Sequence, residues 1–235
     1  MNEHCHKEKY SFATLKIPDG VGGFSLIELL IAMAVGLIII GATYSVFIIQ
    51  NKQINNQDKI VEMQQNVRAA MDMMSREVRM AGYDPCGLNS DTDSSNNFDG
   101  VTWNSAQLQI KADLDGNNPA SNNCQSPYKG IDMTSQENII YEFDGTNKQI
   151  TRNIGAGDQP FAENIIQNDN GIPLFSYLDK NGNATSTAKD IRKVRLTITG
   201  RTSSPIDGQS LTDWSTSPKP TYTLSADVYA RNLAF

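Results

Sequence analysis

The sequence predicts an α+β protein, in which one long N-terminal helix precedes a set of antiparallel strands. Residues 24–84 contain no proline, and no glycine occurs between Gly41 and Gly82, so the backbone lacks a strong helix breaker there. Beyond Gly82, short segments alternate apolar and polar residues between clusters of Asp, Asn, Gly, Ser and Pro, a pattern typical of strands joined by turns. We therefore expect one helix from about Phe24 to Ala81, followed by a β-rich domain.

The first half of the predicted helix is apolar on all sides. Residues 29–49 contain no Asp, Glu, Lys, Arg or Pro. At about 1.5 Å per residue, a run of this length spans the roughly 30 Å hydrocarbon core of a bilayer. Glu28 lies at the edge of the run, where a carboxylate is costly unless it is paired, so we expect it to be functional. Gly36 and Gly41 would admit close contact with another helix or a local unwinding.

The second half of the predicted helix is amphipathic. Its apolar stripe consists of Val67, Met71, Met74, Val78 and Ala81. Asp72 lies four residues from Arg68 and from Arg76, a spacing that favours ion pairs on another face. Gly82 is a typical helix end, and Pro85 prevents continuation. Because the stripe is too short for a coiled coil, we expect it to pack on the globular domain.

Six segments are predicted as strands. Residues 139–143 and 148–154 flank the turn-forming residues 144–147 and predict a β-hairpin. In the last strand, Leu224, Ala226 and Val228 share one face. The other predicted strands are residues 107–112, 174–178, 194–199 and 222–229, and the predicted loops are residues 89–97, 202–210 and 215–220.

The residue inventory argues against catalysis. Both histidines, His4 and His6, precede the apolar run, so the rest of the chain has no histidine base for a serine or cysteine nucleophile. The sequence has no Walker-type phosphate loop and no Gly-x-Gly-x-x-Gly turn. The formal net charge of −6 argues against general nucleic-acid binding. We expect no catalytic residue, no cofactor and no nucleic-acid partner.

Two segments rich in Asp, Asn and Gly, residues 113–117 and 179–183, have the composition of calcium loops. Counted from Asp113 or Asp179, neither has glycine at the sixth place or glutamate at the twelfth. Asp, Asn and Gly also favour ordinary turns, so turns are expected, and calcium binding stays open as an alternative. No other metal site is predicted.

Residues 22–33, GGFSLIELLIAM, resemble the class III signal of type IV prepilins. The resemblance implies that a membrane prepilin peptidase cuts after Gly23 and methylates the new N-terminal Phe24. It also implies that Glu28, then the fifth residue, aligns subunits in a filament. The implied organisation is a cleaved leader (1–23), a transmembrane and filament-core helix half (24–50), an amphipathic helix half (51–83) and a β-rich head (84–235). The helix-breaking proline common in major pilins is missing, and an uncleaved signal anchor is the alternative.

Residues 75–83 and 228–233 are similar to the corresponding parts of PilW-type minor pilins, a group related to the PulJ/GspJ pseudopilins. The resemblance implies an inner-membrane protein with its head in the periplasm, which later enters a pilus at the cell surface. Implied partners are the prepilin peptidase, other minor pilins, the major pilin and the inner-membrane assembly platform. Whether the filament serves motility, adhesion or DNA uptake stays open. The alternatives are a type II secretion pseudopilin and an uncleaved, membrane-anchored periplasmic enzyme or binding module.

Removal of the leader would discard Cys5 and leave Cys86 and Cys124. In a head that faces an oxidising compartment, this even pair predicts one disulfide. Two free buried thiols or a metal site are the alternatives. Both histidines lie in the leader, which argues against zinc.

Overall fold

The computed structural model describes residues 23–85, 98–104, 106–114, 131, 133, 136–167, 171–204, 206 and 220–233. The chain divides into two compact units, residues 1–51 and residues 52–235. Helix α1 runs without interruption from Leu26 to Met80. All strands belong to the second unit. The predicted α+β class is confirmed.

In the first unit, the described residues form the N-terminal part of α1. The hydroxyl groups of Thr43 and Ser45 donate to the carbonyl oxygens of Ile39 and Gly41 at 2.8 and 3.0 Å. These bonds satisfy both hydroxyls inside the helix, as a membrane-spanning helix requires. The helix is regular at both glycines of the apolar run, so the local unwinding considered from the sequence is absent here.

In the second unit, the predicted stripe of α1 is confirmed. Its members, Val67, Met71, Met74, Val78 and Ala81, are all buried, with at most 6% of each residue exposed. Of the two predicted ion pairs, the structure shows Arg76 with Asp72, at 2.7 Å between nitrogen and oxygen. The guanidinium of Arg68 instead lies over the ring of Tyr222, 5.8 Å from its centroid.

The predicted helix end at Gly82 is also confirmed. The backbone φ of Gly82 is +75°, which glycine adopts without the strain that a Cβ would cause. Its N–H donates to the carbonyl oxygen of Lys111 at 2.9 Å. A Cβ on Gly82 would lie 2.6 Å from the Leu233 side chain, so the end of the helix is closely packed.

The strands form two antiparallel sheets. The first sheet has the order β1-β2-β3-β4-β5. In the second sheet β8 is central; β6 and β7 pair with one edge of β8, and β9 pairs with the other. The first sheet contains β1 (Val101–Thr102), β2 (Gln107–Lys111), β3 (Asn138–Asp144), β4 (Gln149–Asn153) and β5 (Asp158–Glu163). The second contains β6 (Ile165–Ile166), β7 (Phe175–Leu178), β8 (Lys193–Arg201) and β9 (Thr221–Tyr229), with a 3₁₀ helix, Ala188–Asp190, between β7 and β8.

The predicted hairpin is confirmed as β3 and β4, which pair Asp144 with Gln149. The Asp144 carboxylate accepts the N–H groups of Thr146 and Asn147 at 2.9 and 3.1 Å, and these bonds fix the turn. The pKa of Asp144 is held below its usual value mainly by the hydrogen bond from the Asn147 N–H, and next by the hydrogen bond from the Asn147 side chain.

The four other predicted strands are confirmed as β2, β7, β8 and β9, whereas β1, β5 and β6 were not predicted.

Side chains from α1 and from both sheets form one apolar core in the second unit. The closest approach is at Gly200 in β8, where a Cβ would lie 2.4 Å from the Val67 side chain. Glycine therefore lets β8 lie directly under the helix. At the other end of the core, a Cβ on Gly100 would lie 2.4 Å from the backbone nitrogen of Gly82.

Candidate processing and assembly site

The predicted cleavage site lies just before the first turn of α1. Gly23, Phe24 and Ser25 are outside the helix and exposed. The carbonyl oxygen of Ser25 accepts the N–H groups of Glu28 and Leu29 at 3.0 and 3.2 Å, which begins the helix. The bond between Gly23 and Phe24 is therefore not held in the helical hydrogen-bond ladder. Cleavage of this bond would therefore not require α1 to unwind.

Glycine at position 23 is not required by packing among the described residues. No described atom lies within 4 Å of the position that a Cβ on Gly23 would occupy. Gly82, Gly100 and Gly200 differ, because a Cβ on each would approach another atom to 2.7 Å or less. The contacts of the described residues thus do not explain the glycine at position 23, and recognition by another molecule would explain it.

Glu28 lies in the first turn of α1 and is exposed. A carboxylate there is favoured by the positive end of the helix dipole. Residues 24–49 contain no Lys or Arg, so this stretch of helix offers the carboxylate no cation. Phe24 precedes Glu28 by only four residues along the chain and lies just before the helix begins at Leu26. Cleavage after Gly23 would therefore create an ammonium group close to this carboxylate.

The apolar surface beside the candidate site is exposed over its whole circumference. All large apolar side chains from Phe24 to Ile49 are exposed, from 38% at Ile48 to 84% at Phe24. Within the described residues, α1 is the one helix whose length and composition would let it cross a membrane. Together with the signal motif, this helix indicates membrane anchoring.

Three of the predicted site residues, Gly23, Phe24 and Glu28, thus lie together at one end of the helix. Cys86 and Cys124 lie outside the described residues, so their disulfide stays a prediction. Asp113 is buried, and its loop continues beyond Leu114 into residues that the structure does not describe.

The segment from Asp179 to Asn183 forms a turn, as expected. One carboxylate oxygen of Asp179 accepts the N–H groups of Asn181 and Asn183, both at 2.8 Å. Gly182 adopts a φ of +87°, and its N–H donates to the carbonyl oxygen of Asp179 at 3.1 Å. The N–H of Asn183 is the main group that holds the pKa of Asp179 below its usual value. These local bonds account for the Asp, Asn and Gly of this segment.

A buried polar cluster of Glu77, Tyr141 and Arg152 was not predicted. The Arg152 guanidinium donates to one carboxylate oxygen of Glu77 at 2.8 Å, and the Tyr141 hydroxyl donates to the other. The pKa of Tyr141 is raised well above its usual value, mainly because the hydroxyl is buried and secondly because of the negative charge of Glu77. Desolvation opposes the charge of Arg152, but the hydrogen bond and charge of Glu77 outweigh it and raise the pKa of Arg152. The cluster thus joins α1 to β3 and β4.

One sequence signal for this cluster existed. Glu77 follows Met74 by three residues and precedes Ala81 by four, so it lies at the edge of the apolar stripe. A carboxylate at such a position needs a buried partner. The identity of that partner could not be read from the sequence, because Arg152 is 75 residues away along the chain.

Residues 20–44 match a protein family described as the prokaryotic N-terminal methylation motif. The matched residues include Gly23, Phe24, Glu28 and most of the apolar run. This match supports a class III signal of the type IV pilin and pseudopilin kind, and it points to a structural, pilin-like protein. It implies processing by a prepilin peptidase and assembly with other pilins. Neither a curated protein nor a solved structure matches the chain.

Proposed function

We propose that this protein is a minor pilin of the PilW type, which helps to prime assembly of a type IV pilus and lies in its tip complex. One observation carries the proposal: the exposed Gly23–Phe24 bond immediately precedes a helix whose apolar part is exposed throughout. A filament subunit requires a leader that is removed, and it requires an apolar helix that packs on partners outside its own chain. The similarity of residues 75–83 and 228–233 to PilW-type minor pilins supports the narrower assignment.

In this proposal, cleavage prepares Glu28 for assembly. Before cleavage, the carboxylate lies at the membrane edge, and residues 24–49 offer it no Lys or Arg. An unpaired charge there is unfavourable, although less so than at the bilayer centre. After cleavage, the Phe24 ammonium, its own or that of a neighbouring subunit, neutralises it. N-methylation leaves this amine basic. The pairing favours one axial position of each subunit relative to the next.

The same proposal specifies location and partners. The protein is held in the inner membrane by α1, with the β-rich head in the periplasm, until it leaves the membrane for the filament. Its partners are the prepilin peptidase, other minor pilins, the major pilin and the inner-membrane assembly platform. The Cys86–Cys124 disulfide is part of this proposal, since an oxidising compartment would favour it.

A second candidate is a type II secretion pseudopilin of the J kind. The observation that favours it is that residues 228–233 are similar to the final strand of the PulJ/GspJ group as well as to that of PilW-type minor pilins. Deletion of the gene separates the two candidates. Loss of surface pili with normal protein export supports the minor pilin, whereas loss of export with normal pili supports the pseudopilin.

The mature N-terminus tests the signal itself. The protein is purified from its host membranes, and its N-terminal peptide is analysed by mass spectrometry. We expect a chain that begins with N-methylated Phe24. Gly23→Leu should stay uncleaved, although a Cβ at this position would meet no described atom within 4 Å beyond its chain neighbours, and Ser25→Ala should be processed as the wild type is. An intact leader on the wild-type protein would contradict the proposal and favour an uncleaved, membrane-anchored enzyme or binding module.

A further inference from the structure

We propose that the outer edge of β9 (Thr221–Tyr229) binds an extended segment of another pilin-like subunit, which adds to the second sheet as a further strand. The identity of the partner rests on the proposed function; the existence of the docking edge rests on the structure alone. Nine residues of β9 pair with β8, from Thr221 opposite Arg201 to Tyr229 opposite Lys193. Among the described residues, no strand pairs with the opposite edge of β9.

The direction of the free backbone groups follows from one hydrogen bond. The N–H of Ala230 donates to the carbonyl oxygen of Arg192 at 3.2 Å, so residue 230 points its N–H toward β8. In an antiparallel ladder, successive residues point their N–H and C=O groups to opposite edges. The even-numbered residues of β9 therefore bond to β8. The odd-numbered residues, Thr221, Thr223, Ser225, Asp227 and Tyr229, direct theirs to the outer edge.

The other edge strands carry features that prevent such pairing, whereas β9 has only one charged side chain, Asp227, and this is paired with Arg195 in β8. Edges are commonly protected by short length, proline, charge or a bulge. β1 has two residues, β6 two and β7 four. β5 contains Pro160 and two carboxylates, and its pairing with β4 shifts register between Ile150 and Thr151. β9 has nine residues and no proline, lysine or register shift.

The apolar face of the second sheet is incomplete at this edge. The side chains of Leu196 and Ile198 in β8 are fully buried. Their partners in β9, Ala226 and Leu224, are only half-buried, although they lie on the same face. An added strand with an apolar residue opposite Leu224 would cover this face. On the other face β9 presents mainly small hydroxyl side chains, which leave room for an approaching backbone.

The charge at the edge constrains the occupant. Asp227 is the only charged side chain in β9, and it accepts two bonds from Arg195 at 2.6 and 2.9 Å. The edge therefore attracts no particular charge, and the expected ligand is an uncharged extended segment with alternating apolar residues. A second copy of β9 would have this pattern, but a pair related by a two-fold axis closes on itself. A subunit in a growing assembly needs a contact that continues, which favours a strand from a different subunit.

Photo-crosslinking of the full chain in its host tests this inference. Thr223 is replaced by p-benzoylphenylalanine, and the matched control carries the same group at Glu163 in the protected edge strand β5. After irradiation, adducts are identified by mass spectrometry. We expect Thr223, and not Glu163, to give an adduct with another protein that carries its own prepilin-type signal.

A second substitution shows whether the backbone edge is responsible. Ser225→Pro removes an N–H that points away from β8, so the pairing with β8 is retained. Ser225→Ala loses the same side-chain contact, a 3.0 Å bond to Thr197, but keeps the N–H. We expect at least a tenfold loss of adduct for Ser225→Pro and little change for Ser225→Ala. If Ser225→Pro fails to fold, Ser225→Lys places a charge at the same edge and should give the same loss.

Four results would overturn the inference: no adduct, an adduct within the same chain, an adduct between two copies of it, or an adduct that Ser225→Pro and Ser225→Lys leave unchanged. An adduct with a protein that lacks a prepilin-type signal would also overturn it. The N-terminus is measured in each sample. Processed Phe24 without the expected adduct overturns the docking edge alone, whereas an unprocessed wild-type chain contradicts the proposed function.

Discussion

In α1, the apolar side chains of residues 26–49 are exposed around the whole helix, whereas Met63, Val67, Met71, Met74 and Val78 form one buried stripe. The second part finds its apolar partners in the strands of its own unit, since Met74 and Val78 are fully buried there. The first part has no such partners among the described residues. Each of its large side chains would gain about 1.5–3 kcal/mol from transfer out of water. A bilayer, or the helices of neighbouring subunits, can provide that transfer.

The two parts of the helix therefore differ in what stabilises them. The stripe stabilises the fold of a single chain, and its substitution should change the free energy of unfolding. In the proposed function, the apolar run and Glu28 contribute to location and assembly, so their substitution should leave the unfolding of the head unchanged. The predictions below use this difference.

The largest effect is expected from Glu28→Ala. Processing after Gly23 should persist, because the cleaved bond and its surroundings are intact. Incorporation into filaments should fall at least tenfold, since the carboxylate that we propose to pair with the new N-terminus is lost. The measurement is quantitative immunoblotting of sheared filaments against membranes, together with the melting temperature of the head. Wild-type incorporation of Glu28→Ala would remove this account of the glutamate.

Met74→Ala should lower the free energy of unfolding of the head, which Glu28→Ala should leave unchanged. Its side chain is fully buried, and truncation of such a methionine costs about 2–5 kcal/mol of unfolding free energy. Denaturant unfolding of the purified protein in detergent measures this loss, and processing at Phe24 should be normal. Met33→Ala, in the exposed apolar run, is the matched control and should change the unfolding free energy little. Equal losses for both variants would contradict the difference between the two parts of the helix.

Glu77→Ala should destabilise the second unit by roughly 3 kcal/mol, because Arg152 and Tyr141 would lose their partner within the core. The control is Asp72→Ala, which breaks an exposed pair on the same helix and should cost less than about 0.5 kcal/mol. Denaturant unfolding of both variants gives the comparison. Similar losses of unfolding free energy in both variants would mean that the buried cluster contributes no more to stability than a surface ion pair does.

The sequence predicted the regular parts of this molecule because their causes are local. The stripe of Met74, the glycine end of the helix and the hairpin around Asp144 all follow from spacing and turn chemistry within a few residues. β5 and β6 were missed because Pro160 and two-residue length obscure the strand pattern, and these strands form through long-range pairing. The Glu77 cluster and the open edge of β9 depend on which distant segments meet. The candidate site could be predicted because its residues are contiguous.

Gly200→Ala tests the close packing of the stripe at its tightest point. A Cβ there would lie 2.4 Å from Val67, so the helix or strand must shift, at a cost of about 1–3 kcal/mol. Gly41→Ala is the matched change in the exposed part of α1, where a Cβ would meet no described atom within 4 Å apart from its neighbours and the adjacent helix backbone. It should be neutral or favour the helix by up to ~1 kcal/mol. Thermal unfolding of both variants shows whether each substitution lowers or raises the stability. An unchanged stability of Gly200→Ala would contradict the close contact with Val67.

The smallest effect is expected at the exposed pair of Arg195 and Asp227, where the hydrogen bond from Arg195 holds the pKa of Asp227 below its usual value. A lowered pKa means that the folded state favours the charged carboxylate, so the contribution is present above pH ~4 and is lost as the pH falls through the folded pKa. Asp227→Asn should therefore cost less than about 1 kcal/mol at pH 7, and the difference from wild type should disappear in acid. Urea unfolding of both proteins at neutral and acidic pH measures it. A difference that grows in acid would show that Asp227 is protonated more readily in the folded protein and would contradict the pairing with Arg195.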